Sequence, residues 1–249
     1  SLTYVLIVVP ISVALGLGSA LLISSLRIGN ELYKAIFFLP VMATLLAMAI
    51  VWEFALNPIM GVVNDILRSG CDKRLIYGFF TGAWYGADPL QSWYGTACAD
   101  KFPIWLGDKR YALGTIAFIG IWQGFGFNMV LYLAGLTSVP RELYQAAHMD
   151  GADSAWERFK LVTWPMLGPT HVFVITISSI RSFQVFDTVE ALTEGGPSKS
   201  TYVMVYAMFE KGVRQNLLGI GSAITIVFLA FVLVLTLIQV YFVNRRVHY

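Results

Sequence analysis

The chain has 249 residues, of which 57% are hydrophobic and 13% charged, with a net charge of +2 and a mean hydropathy of +0.68. Soluble domains carry about 25% charged residues, so a soluble globular fold is excluded and a multi-span membrane protein is the direct reading. Lys and Arg form no continuous run, which excludes a role built on nucleic-acid phosphates.

The chain opens at Ser1 and is apolar from Leu2, without a charged leader or a small-residue cleavage site, so its first segment reads as a span and not as a signal peptide. Hydropathy predicts five spans: Leu2–Ser24, Ile36–Leu56, Ala112–Ala134, Met166–Phe186 and Ser222–Val243. Pro10 lies inside the first, and Pro40 and Pro169 lie near the starts of the second and fourth. Alternation of the spans puts Arg27, Lys34, Arg141, Arg158, Lys160, Arg245 and Arg246 on one side, which the excess of basic residues in short loops marks as cytoplasmic. The N-terminus is then outside, and a further span is expected before Ser1. Two longer stretches, Asn57–Arg110 and Asp187–Gly219, fall outside.

Both cysteines, Cys71 and Cys98, lie in the first outside loop. Paired in an oxidising compartment they would stabilise it by roughly 3–4 kcal/mol; the alternative is two free thiols. The loop carries Trp84, Tyr85, Trp93, Tyr94 and Trp105. It reads as a small folded cap at the membrane interface, where such rings gather, or as a surface for a soluble partner or a sugar.

Between the third and fourth spans the sequence turns polar. Ser138 is placed to N-cap a helix with Pro140 in its first turn and Glu142 near its positive end; Gly151 is a natural stop. A second helix begins at a capping-box pattern, Ser154-Ala-Trp-Glu157, places Trp156, Phe159 and Lys160 on one face, and is expected to end at Pro165. Acidic residues balance basic ones here, unlike a basic helix lying on lipid, so the pair reads as a cytoplasmic docking element.

The stretch PRELYQAAHMDGADSAWERFKLVTWPMLGP resembles the EAA motif of ABC importer permeases. Ala146, Ala147, Asp150, Gly151 and Ala152 match; Gln145 stands where the family has glutamate, and Trp164-Pro165 where it has Leu-Pro. The blocks LRIGNELYKAIFFLP, NPIMGVVNDIL, GIWQGFGFNMVLYLAGLTSVP and FDTVEALTEGGPSKST, in this order along the whole chain, resemble the carbohydrate-uptake branch of that family, of the maltose- and glycerol-phosphate-permease type. The resemblance implies an all-α integral membrane protein with the type I ABC importer permease fold, a single transmembrane permease domain over residues 1–249. Its coupling helices would occupy residues 138–164, with Gln145, Ala146, Ala147, Asp150, Gly151 and Ala152 meeting the ATPase, and its cap loop would be periplasmic.

The resemblance also implies a second permease subunit as heterodimer partner, two ATPase subunits that hold ATP and Mg, a periplasmic solute-binding protein facing Gly195, Gly196 and Pro197, and a place among the lipids of a bacterial inner membrane. It implies no cofactor and no catalytic residue on this chain. Solute-path positions carry over to Gln123, Gly124, Phe127, Arg181 and Ser182, with Asn128 and Gln184 adjacent. Arg181 stands out from the residues alone, since a charge at mid-membrane costs roughly 2.5–3.5 kcal/mol and must face a cavity or a partner such as Asp187. Facing a cavity, it favours an anionic solute, either an acidic oligosaccharide of the uronate type or a sugar or polyol phosphate. Phe127 suits stacking on a sugar ring, or plain packing.

No Walker A, HExxH or GxSxG pattern occurs, and His148, His171 and His248 are scattered, so neither a catalytic nor a metal cluster is expected. A self-sufficient secondary transporter would need inverted repeats and a relay carboxylate within a span, where only Glu53 stands, near an end. A membrane enzyme would need catalytic side chains gathered at one depth.

Overall fold

A computed structural model of the chain describes residues 1–26, 29–64, 66 and 104–244. Every regular element among them is helical. Its α-helices of four or more residues are, in chain order, α1 (Leu2–Ser25), α2 (Asn30–Met42), α3 (Leu45–Ala55), α4 (Ala112–Thr137), α5 (Arg141–Met149), α6 (Ala155–Arg158), α7 (Gly168–Phe183), α8 (Asp187–Leu192), α9 (Met204–Phe209) and α10 (Leu218–Asn244). Helices α1, α4 and α10, of 24, 26 and 27 residues, are apolar on all sides and long enough to cross a hydrocarbon core about 30 Å thick. The chain divides into two compact units, one of Ser1–Thr44, Ala117–Phe186 and Val203–Tyr249, the other of Leu45–Ile116 and Asp187–Tyr202.

In the first unit the core gathers Ala20 and Ile23 of α1, Met129 and Tyr132 of α4, Leu167, and Val174 of α7. Lipid is as apolar as these side chains, so close packing and interhelical hydrogen bonds, not burial from water, select the arrangement. Glycines on α4 permit the close approach: a Cβ on Gly120 would run into the Tyr4 hydroxyl, and one on Gly126 into the Phe37 carbonyl. Polar bonds join the same helices. The Asn128 amide donates to Ser12 Oγ at 3.4 Å and accepts from Ser178 Oγ at 2.9 Å, and Gln239 Nε2 of α10 donates to Ser179 Oγ at 3.1 Å. Each such bond contributes about 0.6 kcal/mol in a bilayer.

In the second unit α3 packs against α8. Past α3 the chain folds on its own polar groups. Asn57 Oδ1 accepts from the backbone N–H groups of Ile59 and Met60, and buried Asn64 accepts at 2.7 Å from the indole N–H of Trp105, which meets Tyr111 edge to face. Cys71, Cys98, Trp84, Tyr85, Trp93 and Tyr94 lie outside the described residues, as do Arg27, Arg245, Arg246 and His248.

Two expectations are corrected, and one segment takes an unexpected form. The segment Ile36–Leu56 is built of two helices, α2 and α3, broken at Ala43–Thr44, with Pro40 inside α2. Pro165 does not end the second docking helix. From α6 the chain continues through a π-helical turn, Phe159–Thr163, into a further turn, Trp164–Met166, and enters α7 at Leu167. Proline has no N–H to give the preceding turn, and the wider π-turn just before it removes the need for one. Ser138 does not cap α5. Its hydroxyl donates back to the Gly135 carbonyl at 2.7 Å, finishing α4, and Pro140 holds the N-cap position of α5 with an extended backbone.

Candidate functional site

Two groups of residues are candidates. The first is the polar double helix. Helix α5 ends on a left-handed glycine, Gly151, with φ at +92°. The Gly151 N–H bonds to the His148 carbonyl at 3.1 Å and the Ala152 N–H to the Ala147 carbonyl at 2.9 Å, the paired bonds of a Schellman ending. That ending brings Ala147 and Ala152 together, and with Val139 and Val162 they form a small core separate from that of the bundle. Helix α6 starts at the capping box read from the sequence. The Glu157 N–H reaches Ser154 Oγ at 3.1 Å, and the Ser154 N–H reaches Glu157 Oε2 at 3.0 Å. Hydrogen bonds from Ser154, the backbone one foremost, hold the Glu157 carboxyl below the usual carboxylate range. The Tyr144 hydroxyl lies 3.0 Å from Thr163 Oγ1, tying α5 to the π-turn.

The element is therefore braced internally, and its small residues have distinct placements. Ala147 and Ala152 face inward, where any larger side chain would force the two helices apart. Gln145, Ala146, Asp150 and Gly151 are exposed, together with Met149, which is 88% exposed. His148 Nδ1 lies 3.0 Å from Asp153 Oδ1 across the joint.

The second group sits on α4 and α7 of the same unit. The Arg181 guanidinium lies 4.5 Å over the centroid of the Phe127 ring. Arg181 and Gln184 are exposed, and Gln184 is also the C-cap of α7. Gln123 and Phe127 are half-buried, and a Cβ on Gly124 would meet nothing within 4 Å, so this face of α4 opens on free space. Asn128 departs from the expectation that it joins this face. It is buried, and both ends of its amide are engaged by Ser12 and Ser178. One residue further round the helix turns it from the open face to the packed one. Ser182 is buried as well.

The loop with Gly195, Gly196 and Pro197 belongs to the second unit. It closes on itself: Thr201 Oγ1 donates to the Gly196 carbonyl at 2.6 Å and lies 2.8 Å from Thr193 Oγ1, while the Gly196 N–H bonds to the Thr193 carbonyl at 2.7 Å. Sequence reasoning missed the role of Thr201, which is fully buried beneath this turn. Among the described residues no group of His, Cys, Asp and Glu could hold a metal ion.

Comparison with known proteins agrees with this architecture. The family model described as the inner membrane component of binding-protein-dependent transport systems matches residues 1–248. The sn-glycerol-3-phosphate transport system permease protein UgpA of Brucella abortus is 30% identical over 240 residues, covering 94% of this chain and 72% of that one. The trehalose/maltose transport system permease protein MalF of Thermococcus litoralis is 33% identical over 235 residues, covering 94% and 68%. Among solved structures, a bacterial ABC transporter involved in import of the acidic polysaccharide alginate matches with a TM-score of 0.75 at 21% identity, over 98% of this chain and 77% of that one. The bacterial alginate transporter in complex with an alginate pentasaccharide-bound periplasmic protein gives 0.78 at 22%, over 99% and 76%. At these identities the structures speak for the fold.

Proposed function

We propose a specific task for this chain, which belongs to the family of binding-protein-dependent transport system inner membrane components and is a permease of the carbohydrate ABC importer type. It carries an oligosaccharide of the acidic, uronate type across a bacterial inner membrane, receiving it from a periplasmic binding protein. ATP and Mg are bound by two separate ATPase subunits, and a second permease subunit lines the other half of the path. The chain itself performs no chemistry.

The observation that carries the reading is the internally braced double helix, which leaves Gln145, Ala146, Met149 and Asp150 outward for a partner. An element held by its own core moves as a body, as alternating access driven from outside the membrane requires. Gln145 keeps a hydrogen-bonding amide where the family's glutamate would form an ion pair. The acidic-solute reading rests on Arg181, which is exposed beside Phe127 and whose guanidinium suits paired hydrogen bonds to a carboxylate.

The test is a native pull-down through this chain, with its binding protein, assayed for ATP hydrolysis against neutral and acidic oligosaccharides. Co-purified ATPase stimulated by an oligouronate is expected. Stimulation by neutral sugars alone overturns the role of Arg181, and a chain that retains no ATPase after mild solubilisation overturns the docking role of Gln145–Ala152.

A further inference from the structure

A row of rings runs from the docking element into the packed bundle. Trp156, 70% exposed on α6, stacks on Phe159 with centroids 5.4 Å apart and planes at 23°. Phe159 meets Trp164 at 5.9 Å, Trp164 meets His171 at 4.5 Å, and His171 meets Tyr132 at 5.2 Å. The last pair is also bonded, with the Tyr132 hydroxyl 2.9 Å from His171 Nδ1. Tyr132 is fully buried in the core with Ala20, Ile23, Met129 and Val174. The row thus begins at a surface and ends among α1, α4 and α7.

The backbone beside this row is not a plain helix. Between α6 and α7 it passes a π-turn at Phe159–Thr163, Pro165, and a non-helical ψ of 0° at Leu167. The π-turn and Pro165 each lack a regular i→i−4 bond, so the main chain here is less stiff than a plain helix. The rings bypass that stretch. Flat side chains in contact transmit displacement because close-packed groups resist compression.

Resting on the reading that an ATPase docks on α5 and α6, we propose that Trp164 and His171 are positioning residues for coupling. They form the rigid joint by which movement of the docking element turns α4 and α7, and with them the Phe127–Arg181 face. Trp164 is the ring through which Phe159 reaches His171. Trp164 is 51% exposed, so its removal opens no core cavity.

The experiment uses the full transporter, with Gly124→Cys as reporter on the open face of α4. Its rate of modification by N-ethylmaleimide is read by peptide mass spectrometry, without nucleotide and with MgATP plus vanadate. In the native background the two rates differ. Trp164→Ala is expected to shrink that difference by about 2- to 30-fold, the span over which residues along a coupling network act. ATPase retention and ATP hydrolysis stay, and Trp164→Phe restores the difference. His171→Phe, which keeps a ring but loses the Tyr132 bond, is expected to keep most of the response, and His171→Ala to lose it. An unchanged response in Trp164→Ala overturns the proposal, and so does a loss no larger than the loss of bound ATPase, which would make Trp164 a docking contact. A native chain that holds no ATPase removes the docking reading itself.

Discussion

The Arg181 guanidinium lies 4.5 Å over the centroid of the Phe127 ring, and the two belong to different helices, α7 and α4. The contact contributes about 0.5–1 kcal/mol at an open site and restricts where the guanidinium can lie. A guanidinium held in place suits the paired hydrogen bonds of a carboxylate. Removing it by Arg181→Ala is expected to raise the KM for an oligouronate about 10- to 100-fold, matching charged hydrogen bonds of about 1.5–3 kcal/mol. Neutral sugars should change little. Transport in proteoliposomes, with Arg181→Lys intermediate because a lysine cannot form the fork, checks this.

Gly124 and Gly126 are two residues apart and should answer oppositely. Gly126→Ala puts a methyl group into the Phe37 carbonyl and is expected to destabilise the bundle by about 1–3 kcal/mol. Gly124→Ala meets nothing and should leave the melting temperature in detergent unchanged while altering solute KM.

Asn128→Ala strands the hydroxyl of Ser178 and frees that of Ser12 in a buried seam. A stability loss of about 1–3 kcal/mol is expected, read from thermal unfolding. The rank order of solutes should be unaltered; a change in that order would return Asn128 to the solute path.

At Gly151 the backbone sits at φ +92° with free space around the Cα. Substitution therefore meets strain and no clash. Gly151→Ala is expected to cost about 1–2 kcal/mol, Gly151→Asn less, and Gly151→Val most. Retention of the ATPase in a pull-down should follow the same order.

The capping box also predicts a pH response. Folding holds the Glu157 carboxyl below its ordinary value, so its contribution is present above the unfolded carboxylate range and is lost as pH falls through the lowered folded value. Proteolysis near Ser154 should therefore accelerate on acidification, and Glu157→Gln should remove that dependence.

What could be read from the sequence was local. The Ser154–Glu157 box and the Gly151 ending each depend on residues within one turn, and both are present. Ser138 was ambiguous because a serine between two helices can bond forward or back, and it bonds back. The break at Ala43–Thr44 leaves no mark in a run that stays apolar from Phe37 to Ala55 apart from Thr44 and Glu53. The π-turn at Phe159–Thr163 obeys no hydrophobic period. Asn128 and Phe127 are neighbours in sequence, and hydropathy does not tell which of them faces a helix and which faces space.

The core formed by Val139, Ala147, Ala152 and Val162 belongs to the docking element and is not shared with the helices around it. Such an element is exchangeable. Its outer face can change without repacking the transmembrane helices, and those helices can change without redrawing that face. Natural selection can act on the two as separate inheritances within one gene.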